Sequence, residues 1–454
     1  MGSLNRIAKR AGVLFLLVGI LFAGLIFFVV EYVTKAGSWV VFPGSPHVYY
    51  GGNLGCGTVV DRENVILLDM NGKREYSKSD VLRKATVHWL GDRSGSVDAN
   101  ALASHSHQMV GFDLLNGIYS YGDAGSVATL TLSAKVQMAA LEALGNYRGT
   151  VAVYNYKTGQ ILCAVTSPTF DPDAPPVFDE ANPGEYDGLY WNNFTQGHYI
   201  PGSIFKVVTL SAVLEAKPEL LQEQFTCRGS YELGPDKITC ETTHGQQDIK
   251  TAFKNSCNCA FAQIVLKLGG DTLQQYVEKF KVTESLTFDG ISTEKGNFVS
   301  ENVSDVSAAW AGIGQYLDEV NPCAFLTFMG AIANGGRGVQ PYIVKEISGT
   351  YRAKTQKMDR IMSEETAKTV TEYLRNNVEN KYGDSNFPGM TVCAKTGTAE
   401  VGGDKKPNAM LAGFVTDKDT PWAFIVCVED AGYGGQVCLP IASKVLAACK
   451  ENIG

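Results

Sequence analysis

The chain has 454 residues, 45% of them hydrophobic, and a formal charge of −8. That length allows two or three domains around a sizeable core. With no basic run and no interleaving of aromatic and basic residues, the composition excludes a nucleic-acid surface.

From Ala11 to Val30 the chain reads "AGVLFLLVGILFAGLIFFVV", 20 residues without a charge. That is about the length needed to cross the hydrocarbon core of a bilayer. Arg6, Lys9 and Arg10 precede it, which predicts a cytoplasmic tail (1–10), an anchor (11–33) and an extracytoplasmic remainder. A cleaved signal peptide and a buried core helix are the alternatives. The apolar run is long for a signal, and "EYVTKAGSW" offers no good small-x-small cleavage site.

Residues 36 to about 120 are glycine-rich and irregular, with short strand-like pieces such as "GTVVD" and "NVILLDM". "SVATLTLSAKVQMAALEALGNY" (126–147) predicts a strand running into an amphipathic helix. Together these residues predict a small extended domain over 36–145. "GTVAVYNYKTGQILCAVTSP" predicts a hairpin with a Lys-Thr-Gly turn, and "FDPDAPPVFDEANPGEYDG" a loop. Helical patterns dominate 200–275. Strands return in "TVCAKTGTAEVGG", "AMLAGFVTD" and "WAFIVCVED", closed by the helix "PIASKVLAACKENI". Strands at both ends of a helical middle predict an α+β domain over 146–454, an antiparallel sheet flanked by helices.

Eleven cysteines are an odd number, so at least one is unpaired within the chain. Cys163, Cys393 and Cys427 fall in apolar runs and read as core residues. Cys227 and Cys240, in the polar "FTCRGSYELGPDKITCE", are the best disulfide candidates in an oxidising compartment. No cysteine–histidine spacing reads as a zinc site, and the six histidines do not cluster with cysteines, so no metal or other cofactor is expected.

In "HYIPGSIFKVVTLSAVLE" (198–215), Pro201, Gly202 and Ser203 open a helix whose apolar run keeps helical spacing. Lys206 lies one turn from Ser203 among Ile204, Phe205, Val207 and Val208. Desolvation there would lower its pKa and set a neutral amine beside a hydroxyl, a base beside a nucleophile. Ser-x-x-Lys alone is weak, and Ser292-Thr-Glu-Lys295 repeats it in a polar loop. Two further triplets follow, Ser256-Cys257-Asn258 in a helical region and Lys395-Thr396-Gly397 in a strand-like run. Each has copies elsewhere: Ser3-Leu-Asn5, Ser300-Glu-Asn302 and Lys157-Thr-Gly159. Only one set stands in the order Ser-x-x-Lys at a helix start, Ser-x-Asn, then Lys-Thr-Gly on a strand.

With these motifs the chain resembles a class B penicillin-binding protein. The blocks "GTVAVYNYKTGQILCAVTSPTFDP", "PGSIFK", "HGQQDIKTAFKNSCNCAFAQIVLKLG", "GIGQ", "AIANGG", "AKTGTAEV" and "GYGGQVCLPIASKVL" carry the likeness over 126–449. It implies a β-lactamase/transpeptidase-like fold behind a membrane anchor and a pedestal, and a serine D,D-transpeptidase that cross-links peptidoglycan. The substrates would be stem peptides ending in D-Ala-D-Ala, with β-lactams as covalent inhibitors.

The resemblance also implies roles. Ser203 would be the nucleophile and Lys206 its base, and Ser256 would relay a proton to the leaving D-alanine. Asn258 would hold the substrate amide and Lys206. Lys395 would tune Ser256 and, with Thr396 and Thr398, meet the terminal carboxylate. The backbone N–H groups of Ser203 and Thr398 would form the oxyanion hole, and Gly397 would keep the strand edge clear for the peptide. Cys257, between Ser256 and Asn258, would point away from the cleft.

Two alternatives stay open. A D,D-carboxypeptidase or serine β-lactamase would need a deacylating base, for which Glu294 is the candidate. A β-lactam sensor or a silent scaffold would need an effector domain, which the tail before the anchor is too short to hold, or a broken motif. A transpeptidase without a polymerase also implies a partner, a polytopic glycosyltransferase of the shape, elongation, division and sporulation type. Gly12, Gly19, Ala23 and Gly24 offer close helix approach in the anchor, or are ordinary membrane-helix composition.

Overall fold

The computed structural model describes residues 2–39, 41–42, 48–50, 53–71, 73–110, 112–113, 117–118, 126–179 and 181–453. The proline-free N-terminal run forms one helix, α1 (Gly2–Trp39). From Leu14 to Val30 its large apolar side chains are exposed, with no protein to cover them. Such a helix fits a single-pass membrane anchor.

In chain order there follow β1 (Thr58–Val60), β2 (Ile66–Asp69), β3 (Glu75–Tyr76), α2 (Asp80–Leu90), β4 (Val127–Leu130), α3 (Ala134–Leu144), β5 (Gly149–Asn155) and β6 (Ile161–Ser167). A 3₁₀ turn (Gly202–Phe205) leads into α4 (Lys206–Ala216), then α5 (Ile249–Asn255), α6 (Asn258–Leu268) and α7 (Pro322–Ala333). The chain ends with β7 (Val344–Ile347), β8 (Tyr351–Arg352), α8 (Glu364–Asn377), β9 (Val392–Ala399), β10 (Asn408–Val415), β11 (Trp422–Val428) and α9 (Gly434–Asn452).

The larger core is built on a five-stranded sheet, ordered β6-β5-β11-β10-β9 and antiparallel throughout. Side chains alternate between its faces. Ala409, Leu411 and Val415 of β10 share a core with α3 and α9, while Met410, Ala412 and Phe414 meet the core of the helical lobe. Burial on both faces is why these strands read as nearly continuous apolar runs. Each buried Leu, Val or Phe contributes about 2 kcal/mol. The α+β class with a helix-flanked antiparallel sheet is therefore as expected.

The two sheets do not part at a single point of the chain. A six-stranded sheet, ordered β8-β7-β4-β1-β2-β3, carries the residues after the anchor. Its β7 and β8 come from more than two hundred residues further on, with Val344 opposite Leu130. β4 pairs with β1 in parallel on one side, and β7 covers its other edge, which would otherwise expose unpaired N–H and C=O groups. Conversely α3, placed by sequence in the 36–145 segment, packs Val136, Ala140 and Leu144 against Val151, Val153 and Val445 of the larger core. A division at 145/146 thus cuts across the six-stranded sheet and parts α3 from the larger core. Parts of that segment, 43–47 and 119–125 among them, lie outside the described residues.

The stretch 200–275 is also less helical than its pattern suggests. Two small ladders interrupt it, Phe225–Cys227 with Gly245–Gln247 and Ser230–Leu233 with Asp236–Thr239. The second turns at Gly234-Pro235, a strong local turn signal. Thr239, at the end of the second ladder, lines one cleft with Thr396 and Thr398 of β9.

Candidate active site

The turn that carries Ser203 is 3₁₀ rather than α-helical. In that geometry residues three apart eclipse, so Ser203 and Lys206 stack directly. Lys206 Nζ lies 2.8 Å from Ser203 Oγ. Gly202 has φ +52°, and a Cβ there would stand 2.5 Å from the Thr398 carbonyl oxygen. Only glycine lets the turn press so closely on β9.

Lys206 is fully buried. Its Nζ also donates to the Ser256 carbonyl at 2.9 Å and to Asn258 Oδ1 at 2.6 Å. Both oxygens can only accept. A neutral amine has two N–H bonds and one lone pair; with both N–H bonds committed, the lone pair is left for the Ser203 hydroxyl proton. Burial pulls the pKa of Lys206 down to about 8, which makes that neutral form accessible.

Ser256 sits at the break between α5 and α6, with left-handed φ 59° and ψ 36°, a conformation rare outside glycine. Its hydroxyl accepts from Lys395 Nζ at 2.9 Å and lies 3.4 Å from Lys206 Nζ. Lys395 is buried and donates also to the Thr396 carbonyl. Burial, reinforced by the positive charges of Lys206 and Lys381, holds its pKa well below the usual lysine range. Asn258 Nδ2 donates to the Thr239 carbonyl at 2.9 Å, which orients Oδ1 toward Lys206.

β9 is the edge strand of the larger sheet. The Thr398 carbonyl faces Gly202, and in a strand the N–H and C=O of one residue point to the same edge. The Thr398 N–H therefore faces the turn of Ser203, whose own N–H lies in a first helical turn. Gly397 meets a constraint of its own: a Cβ there would meet the Pro201 carbonyl at 2.8 Å and Ile204 at 3.0 Å. Its missing side chain seats the nucleophile-bearing turn against β9. Above these groups opens a cleft of about 730 Å³ lined by Ser203, Ser256, Asn258, Thr396 and Thr398. Lys206 and Lys395 lie beneath it.

The sequence reading missed Tyr382. Its hydroxyl accepts from the Thr396 N–H at 3.1 Å and lies 3.0 Å from Thr396 Oγ1. "ENKYGDS" carries no motif that marks it. Glu294 is exposed on a separate cavity beside Arg148, His198 and Glu429.

The cysteine reading needs correction. Cys227 and Cys240 are free thiols, and a histidine does join them. Cys227, Cys240, His244 and Cys257 place one ligand atom each within 4.8 Å of one another. They were missed because they come from both ladders and the start of α6, far apart along the chain. Cys257 is fully buried, away from the cleft, whereas Cys240 and His244 line it.

Residues 149–447 match the family described as penicillin binding protein transpeptidase domain. Stage V sporulation protein D of Bacillus subtilis is 30% identical over 352 residues, 72% of this chain and 53% of that one. Peptidoglycan D,D-transpeptidase PbpA of Mycolicibacterium smegmatis is 28% identical, over 71% of this chain and 72% of its own length. The D,D-transpeptidase domain of a peptidoglycan glycosyltransferase from Eggerthella lenta superposes with a TM-score of 0.71 at 26% identity, covering 88% of this chain and 99% of that one. With a match across two thirds of its length and a site of this geometry, the chain belongs to the penicillin-binding protein transpeptidase family.

Proposed function

We propose that the chain is a membrane-anchored serine D,D-transpeptidase that cross-links peptidoglycan stem peptides. The observation that carries this reading is the Lys206 amine, with two acceptors fixed on one side and the Ser203 hydroxyl on the other.

Ser203 Oγ attacks the carbonyl carbon between the two D-alanines while its proton passes to Lys206 Nζ. The oxyanion is held by the Ser203 and Thr398 N–H groups. As the intermediate collapses, the C–N bond breaks and the terminal D-alanine leaves with a proton relayed through Ser256, which contacts both lysines. Thr396, Thr398 and Lys395 receive its carboxylate. An amine from a neighbouring stem then attacks the ester, and its proton returns to Ser203 through Lys206.

The M. smegmatis relative bears the name of this activity, and the B. subtilis relative is named for sporulation. Elongation, division and sporulation are the settings proposed here. Arg6, Lys9 and Arg10 orient the anchor with its N-terminus in the cytoplasm. The polytopic glycosyltransferase partner would dock on α1 and the six-stranded sheet.

The test is acylation of the full chain by a labelled penicillin, followed by peptide mapping and the lifetime of the adduct. An adduct on Ser203 that survives many minutes supports the transpeptidase. Rapid release of hydrolysed drug would favour a hydrolase and turn attention to Glu241 and Glu400, the carboxylates at the rim of the cleft.

A further inference from the structure

The thiol cluster beside the Ser-x-Asn motif belongs to no step of the mechanism above. Cys240 Sγ and Cys257 Sγ are 3.6 Å apart. Two sulfurs bound to a tetrahedral zinc ion at ~2.3 Å stand about 3.8 Å apart, so the pair already has the edge length of such a site. Cys227 and His244 complete a four-donor group within 4.8 Å.

Two backbone groups favour sulfur as an anion there. The Asn258 N–H donates to Cys240 Sγ at 3.1 Å, and the Ala260 N–H to Cys257 Sγ at 3.4 Å. The donors converge from a ladder strand (Cys227), a segment beyond a second strand (Cys240, His244) and the start of α6 (Cys257). His244 Nδ1 is buried without a hydrogen-bond partner among the described residues. Nothing in ordinary packing requires three thiols and an imidazole to meet at one point.

We propose that Cys227, Cys240, His244 and Cys257 bind one zinc ion. Thiolate and imidazole donors select zinc over the hard cations magnesium and calcium. Four protein donors fill a tetrahedral site and leave no position for water, which makes the ion structural and not hydrolytic. It ties the two ladders to the residue that caps α6. The consequence reaches the cleft directly, because Cys257 stands between Ser256 and Asn258, and Thr239, next to Cys240, orients the Asn258 amide. These cysteines are positioning residues for the pair that holds Lys206. Cys259 donates to the Ile238 carbonyl from the same corner and stays outside the set.

The experiment uses the full chain purified in detergent without chelator. Elemental analysis is expected to find about one zinc per chain, retained in Cys56→Ser and Cys259→Ser. Cys240→Ser, His244→Ala and Cys257→Ser each lose metal affinity on the order of tenfold or more. Cobalt exchanged into the wild type should give the intense visible absorption of a tetrahedral thiolate site, a readout that needs no variant to fold. Chelation should lower the thermal midpoint, and added zinc should restore it. Wild type carrying no more zinc than the Cys240→Ser, Cys257→Ser double variant would overturn the site, as would a Cys227–Cys240 disulfide in the purified chain. Loss of metal in Cys259→Ser but not in His244→Ala would overturn the four-donor set named here. None of these readouts depends on transpeptidase activity.

Discussion

Ser203-Ile-Phe-Lys206 and Ser292-Thr-Glu-Lys295 share one spacing and nothing else. The first opens a helix packed between a sheet edge and a helical lobe, and its lysine has no exposed surface. The second crosses the end of a two-residue strand, with Ser292 and Lys295 both exposed. Ser292 Oγ pairs with Thr287 Oγ1 at 3.3 Å. Lys295 stands in solvent, whereas Lys206 can serve as a base, because its surroundings are dry and two carbonyl oxygens occupy its N–H bonds. Chemistry follows the packing around a motif, and the motif only permits it.

The largest effect that would break this comparison is on covalent labelling itself. Ser203→Ala removes one half-buried hydroxyl and should abolish labelling by a fluorescent penicillin while the thermal midpoint stays close to wild type. Ser292→Ala should label normally. A labelled Ser203→Ala protein would dissolve the distinction between the two sites.

Next in size is the base. Lys206→Arg keeps a positive charge, but a guanidinium stays protonated and has no lone pair to offer. Acylation should slow by about a hundredfold or more, the scale of lost general-base catalysis. Lys295→Arg should leave it unchanged. Stopped-flow acylation rates, measured with both variants at one drug concentration, decide the point.

What the sequence disclosed and what it hid divide along chain distance. The continuous apolar run of β10 and the turn at Lys157-Thr158-Gly159 are local, and the larger sheet could be read from such signals. So could the order of the three motifs. The pairing of β7 with β4 joins residues more than two hundred apart, and no local pattern announces it. The helix break at Ser256 was likewise hidden, because a left-handed serine has no propensity signature. Tyr382 and the cysteine–histidine cluster share that fate. Their partners converge only in the fold, and "ETTHGQQ" reads as loop until Cys257 is beside it.

A pH profile sharpens the comparison further. The neutral form of Lys206 is the active base, and its pKa lies at about 8. Below that value the neutral fraction falls about tenfold per pH unit, so acylation should fall with it; above it the rate should level. The sign is fixed: activity is gained as pH rises through 8 and lost as pH falls. A profile flat between pH 6 and 8 would mean that Lys206 does not take the proton.

The smallest expected effect lies at Tyr382, which separates the two stretches by what supports each. The Ser292 stretch is held by its own two-residue ladder with Thr287–Phe288 and by the Glu294 N–H on the Thr195 carbonyl. The Ser203 turn instead leans on β9, and β9 is an edge strand whose outward groups need partners. The Tyr382 hydroxyl supplies one, taking the Thr396 N–H at 3.1 Å. Tyr382→Phe deletes that acceptor and frees the Thr396 hydroxyl, yet keeps the ring that fills the space beside the strand. Loss of one such bond costs about 1 kcal/mol, or about fivefold if it is felt wholly in the rate. Acylation should therefore slow by roughly that factor with the thermal midpoint little changed, since water in the cleft can replace the lost acceptor. An unchanged rate would leave Thr396 positioned by β9 alone. A loss as large as that of Lys206→Arg would place Tyr382 among the groups that touch the reacting atoms.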